Sequence, residues 1–169
     1  MRTISFKMLL LTGAIAACSN DNSEIIMDLN ESIHHDDFEY TVTDYAIEEK
    51  IGVQDILTAK GKFYIVSFKV TNNAKRVSHP WDNVIAYVKD EDGKIYENQK
   101  EAQLVLDKQM PMGWQEEYVT QAQDNDSILF VFDVPKDVKY PYLMVRGETL
   151  MGDFFDGGKF KRKKVKLFE

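Results

Sequence analysis

The 169-residue chain has one cysteine, three histidines and four prolines, and each scarcity removes something. A single thiol excludes an internal disulfide and a zinc site built on several cysteines. The histidines are only His34, His35 and His79, and no serine sits in a Gly-x-Ser-x-Gly elbow, so there is little material for a nucleophile-and-base relay. No apolar run approaches the roughly 20 residues that a spanning helix needs. Basic residues are outnumbered by acidic ones, 21 to 28, which argues against nucleic acid as a partner. No internal repeat or low-complexity block divides the chain.

What is present begins with the position of that lone cysteine. Arg2 and Lys7 precede the apolar stretch from Met8 to Ala17, and Cys18 follows it directly. Positive charge followed by a short apolar core is the pattern of an export signal, and at this length it is no membrane span. The residues Ile15-Ala16-Ala17-Cys18 resemble the lipobox of bacterial lipoproteins. That resemblance implies that Cys18 becomes the lipidated first residue of the mature chain, with acyl chains each adding about 0.8 kcal/mol of membrane affinity per buried methylene. It also implies an extracytoplasmic location, anchored to the cell membrane or outer membrane, and accounts for an otherwise odd cysteine. Ser19 is not the aspartate associated with inner-membrane retention in some enteric bacteria, so in a two-membrane cell the resemblance leans to the outer membrane.

Cleavage before Cys18 removes Arg2 and Lys7 but no acid, leaving 19 basic against 28 acidic residues, formally −9. About 150 residues remain, enough for one domain with a sizeable core. The division expected is a signal peptide over 1–17, the lipidated cysteine and a polar tether over 18–36, and a folded body over 37–169. Ile25, Ile26, Met27 and Leu29 complicate the tether, because they suit a first strand or turn packed on the body.

From Asp37 the apolar period is two, with β-branched and aromatic residues dominating. Expected strands are 38–47, 62–72, two runs within 83–97, 115–122, 127–134, 142–148 and 163–169. In the second of them Tyr64, Val66, Phe68 and Val70 share one face, which suits a core. Asp92-Gly93 marks a hairpin. Residues 98–109 fit either a helix or a strand. Seven or eight short strands without crossover helices predict an all-β fold, an immunoglobulin-like antiparallel β-sandwich.

The segments "GKFYIVSFKVTNNAK", "DEDGKIYE", "PMGWQEEYVT" and "SILFVFDVP" are similar to a family of bacterial extracytoplasmic immunoglobulin-like domains of unknown function. That family is common in lipoproteins and often mislabelled after a telomeric repeat-binding factor. The shared pattern spans roughly residues 38–148 and marks strand ends and turns, so it implies a fold and no activity.

Four groups of residues are candidates for chemistry. "HHDD" at 34–37 has the composition of a metal cluster but the placement of a solvated turn. The acids Asp90, Glu91 and Asp92, Asp124 and Asp126, and Asp153 and Asp156 could pool around calcium if their loops met, although none has EF-hand spacing. No metal site and no cofactor is expected. Six of the eight residues from 159 to 166 are basic, among them Lys161, Arg162, Lys163 and Lys164. They suit an edge strand protected by lysines, with Val165 and Leu167 inward, or a patch for anionic headgroups or an acidic partner. Trp81 and Trp114 lie in or beside loops and either rim a binding surface or cap the core.

The function expected is non-enzymatic: a binding module of the cell envelope, membrane-attached through its lipid, with a protein or glycan partner. The rivals are a structural accessory subunit that docks through the basic edge and, less favoured, a hydrolase built on loop carboxylates.

Overall fold

A computed structural model of the chain describes residues 24–35, 37–80, 85–109, 119–145 and 163–169. Two sheets face each other. Sheet B holds β2 (Ser32–His35), β3 (Phe38–Ile51), β4 (Leu57–Asn72) and β9 (Asn125–Val134), in that order. Sheet A runs β1 (Ile25–Met27), β11 (Lys163–Lys166), β10 (Tyr142–Val145), β6 (Ala86–Lys89) and β7 (Ile95–Tyr96). A short ribbon pairs β5 (His79–Pro80) with β8 (Val119–Thr120).

The alternating runs fold as their period demands. Tyr64, Val66, Phe68 and Val70 all face the core, where Tyr40, Val42, Phe130 and Phe132 join them from neighbouring strands. Ala86, Val88, Leu143, Val145, Val165 and Leu167 close the core from sheet A. The rings of Tyr40 and Phe68, and of Phe68 and Phe130, lie 5.8 and 5.7 Å apart, so aromatic contacts join the sheet-B strands with no disulfide among them. The register of β3 against β4 slips between Val42 and Asp44. This bulge keeps Tyr45 packed on the core, although it lies an odd number of positions from Val42.

The outer face of sheet B carries a second apolar layer. Phe63, Ile65 and Val131 are covered there by Ala102, Val105 and Leu106 of α1 (Lys100–Gln109), so the run 98–109 resolves into a helix from Lys100, preceded by a single bridge of Asn98 to Phe132. Sheet-B strand β9 would be an open edge, and side chains from this helical region bond to its backbone. Gln103 Nε2 donates to the Leu129 carbonyl at 2.7 Å, Gln103 Oε1 accepts the Val131 amide at 3.1 Å, and Asn98 Nδ2 reaches the Val131 carbonyl at 3.1 Å. Such cover stops an edge from templating another chain.

Two expectations change. The tether predicted to reach Asp36 gives way to strands at 25–27 and 32–35, because Met27 and Ile33 have core positions to fill. Strand β11 is not an edge: β1 pairs with it in parallel through Ile25↔Lys163, Ile26↔Lys164 and Met27↔Val165. Val165 and Leu167 do point inward. Among the described strands this pair is the parallel exception in the antiparallel sandwich predicted.

The strand end Thr71-Asn72-Asn73 has a physical role. Asn72 is fully buried, its amide donates to the carbonyls of Val77 and Thr120 at 2.7 and 3.2 Å, and its oxygen accepts the Ala74 amide at 3.0 Å. One side chain thus fixes the departing loop. His79, on that loop, is buried with Nε2 2.6 Å from the Tyr40 hydroxyl.

Candidate functional site

The outward side of sheet A presents a cleft of about 280 Å³ lined by Glu24, Lys89, Asp90, Glu91, Asp92, Gly93, Tyr142 and Lys164. Its residues come from separate elements because the strand order brings the end of β6, the start of β10 and the middle of β11 side by side. Lys89 lies directly opposite Tyr142, and Lys164 opposite Met144. Glu24, just before β1, completes the group.

Two ammonium groups converge on one carboxylate. Lys164 Nζ lies 2.5 Å from Glu24 Oε2, and Lys89 Nζ lies 3.2 Å from Oε1. The Lys164 hydrogen bond is the main cause that holds the Glu24 carboxyl below its ordinary range; partial burial opposes it, and Lys89 adds to it. Lys164 also sits 4.1 Å above the centre of the Tyr142 ring, a cation-π contact that orients the amine over the cleft floor. Phe168 meets Tyr142 and Tyr140 edge-on at 5.2 Å each, which extends the aromatic surface to the half-exposed Tyr140.

The acidic rim is built from a turn. Asp90 Oδ1 accepts the amides of Asp92 and Lys94 at 3.0 and 2.8 Å, and Oδ2 accepts the Tyr96 hydroxyl at 2.8 Å. Gly93 has φ of 83°, a conformation that favours glycine. Burial raises the Asp90 carboxyl pKa, yet these donors outweigh it and the net direction is down. Tyr96 is pushed up to about 12 by burial, then by its bond to Asp90 and by the charges of Asp90, Asp137 and Glu91.

Chemically, the cleft combines a fixed ring, two ammonium groups that share the Glu24 carboxylate, and the rim carboxylates Glu91 and Asp92. The alternative of carboxylates pooled around calcium meets a different use of Asp90, which holds its own turn, while Asp124 and Asp126 lie elsewhere, just before and within the start of β9. Among the described residues no group of three or more histidine, cysteine or acidic side chains is placed to hold a metal ion. His34 lies 3.8 Å from Glu39, which accepts the Ser32 hydroxyl at 2.5 Å, so His34 of "HHDD" belongs to a polar network on β2 and β3.

Of the predicted surface residues, Lys164 enters the cleft and Lys163 lies beside Ile25 in the parallel pair. Cys18, Trp81, Trp114, Lys161 and Arg162 lie outside the described residues, as do Asp153 and Asp156. Docking through a basic edge at β11 is overturned for that strand, because β1 already occupies its free side. Glu24, Lys89 and Tyr142 were missed by sequence reasoning. Alternation along "AYVK" and "YLMV" places Lys89 and Tyr142 on outward faces, but nothing local pairs those strands or brings Glu24 to them. Among the described residues no helix is long and apolar enough to cross a membrane.

A family model described as a domain of unknown function, DUF4352, matches residues 27–153. Among solved structures, an uncharacterized β-sandwich protein from Clostridium difficile 630 is similar with a TM-score of 0.54 and 12% identity, covering 86% of this chain and 96% of its own. A secreted protein from Mycobacterium tuberculosis, MPT63, is similar at 0.52 and 13%, covering 75% and 92%. A candidate lipoprotein from Bacillus subtilis is similar at 0.53 and 14%, covering 81% of this chain and 38% of its own. At these identities the likeness is one of fold. No curated protein matches the chain.

Proposed function

The chain belongs to the DUF4352 family, a domain of unknown function, and from that premise we propose that it is an extracytoplasmic lipoprotein, anchored through Cys18, that binds another envelope component without catalysing a reaction. The observation that carries the binding reading is the convergence of Lys89, Lys164 and Tyr142 on one cleft in a rigid sheet. Sites on strands hold their groups more precisely than sites on loops. The lipobox-like Ile15-Ala16-Ala17-Cys18 and the secreted and lipoprotein-like neighbours in fold support the location. The first described strand starts at Ile25, and five residues, 19–23, separate Cys18 from Glu24. Fully extended, that connection reaches at most about 22 Å, so the sandwich works close to its membrane.

The test is mass spectrometry of the mature N-terminus from native membranes, followed by crosslinking there of wild type and a Lys89→Glu/Lys164→Glu variant. A diacylated or triacylated Cys18, with a crosslinked partner that the variant loses at least tenfold, is expected. An unmodified Cys18 overturns the anchor. A partner captured equally by folded wild type and variant overturns the cleft as the binding surface.

A further inference from the structure

The segment that seats Glu24 in the cleft is short and hinged. Strand β1 has three paired residues, Ile25 and Ile26 remain about half exposed (51% and 49%), and Met27 alone of the three reaches the core. Residues 28–31 then carry the chain from sheet A to sheet B. That link is a tight turn in which the Glu31 amide donates to the Asp28 carbonyl at 3.3 Å, and Asn30, with φ of 68°, donates its amide to the Val42 carbonyl at 2.8 Å. A left-handed conformation is unfavourable for a residue other than glycine, though less so for Asn, and short strained hinges between elements favour exchange of those elements between copies.

We propose that residues 24–27 exchange between two copies of this chain, each β1 pairing with β11 of the other and each Glu24 lying between Lys89 and Lys164 of the other. The seat is shown to fit this occupant, since it holds the same segment within one chain: a backbone ladder to Lys163, Lys164 and Val165, a two-lysine clamp and a core position for Met27. The exchange is self-complementary, so it closes as a two-fold dimer and does not propagate. Every contact made within one chain is remade between two, and the balance rests on the hinge and on encounter. Four hinge residues span at most about 14 Å, so the two-fold axis must pass beside residues 28–31, where the β1 and β2 edges of both copies meet. If Cys18 is lipidated, confinement to one membrane raises the encounter frequency.

The test mixes two full-length forms in membranes, one carrying Ile25→Cys and the other, lengthened by a tag, carrying Lys163→Cys. The mixture is oxidised with copper phenanthroline and digested. A disulfide-linked peptide pair containing positions 25 and 163, joined between chains of different length and rising at least several-fold with protein density, is expected. The same two substitutions in a single chain are the control for fold and register, and Met27→Cys with Val165→Cys is a second registered pair. Closure within the single chain, with no mixed product at any density for either pair, overturns the exchange. Acylation of Cys18, weighed on the same samples, separates that failure from failure of the anchor.

Discussion

Asp90 does the work of several residues. One carboxylate holds two turn amides and the Tyr96 hydroxyl, so Asp90→Ala removes all three partners and costs about 1–3 kcal/mol of stability in denaturant unfolding. The same variant has a spectroscopic signature. Tyr96 is raised from 10.0 to about 12, so its contribution to stability is complete below about pH 10 and disappears as the pH rises through 12. In Asp90→Ala the phenolate absorbance of Tyr96 appears at lower pH, moving back toward 10. An unchanged titration would show that burial alone sets the value. The Asp92-Gly93 turn was legible in the sequence; the Tyr96 bond to Asp90 was not, because it comes from the next strand.

Among elements, α1 and β9 are the coupled pair. Gln103 both accepts from and donates to the backbone of β9 while buried. Replacing it by Ala leaves those edge groups without partners at a cost of about 1–3 kcal/mol, read as a lowered denaturant midpoint. Light scattering by the native-state variant should also rise, since the edge is bared. Local pattern left residues 98–109 open between helix and strand for a reason visible in the structure. The helix is capped by Gln99, whose side chain accepts the Ala102 amide at 2.6 Å, and Gln is not among the strong N-cap residues. Its apolar face rests on a sheet surface that no local window contains. The long strands β3 and β4 were legible because alternation needs only neighbours, whereas the slip at Thr43 and the parallel seat of β1 depend on strands far away in sequence.

Across the molecule, Glu24 links the beginning of the described chain to its end. Its carboxyl lies below the ordinary range, chiefly through the Lys164 bond. A lowered folded-state value means that the stabilisation is complete above about pH 4.5 and is lost as the pH falls through the lower folded value. Carbon-13 NMR of the Glu24 carboxyl should give a midpoint below 4.5, and Glu24→Gln should remove that part of the acid-side loss. A midpoint at the ordinary value would mean that the clamp does not persist in solution. Of the basic run, sequence supplied the charge and the inward Val165 and Leu167, but it placed the strand at an edge. The covering strand lies in a stretch whose polar surroundings suggested a tether.

The parallel pairing of residues 25–27 with 163–165 also sets an order of events during synthesis. A chain that emerges N-terminus first brings out β1 long before the seat for that strand. Until Lys166 is free, Ile25, Ile26 and Met27 have no place in the sandwich, and Glu24 lacks one of its two lysines. Non-local pairing of this kind is slow to form. The seating of β1 is therefore timed by synthesis of residues 163–166, and a chain truncated before residue 163 leaves β1 without its partner strand.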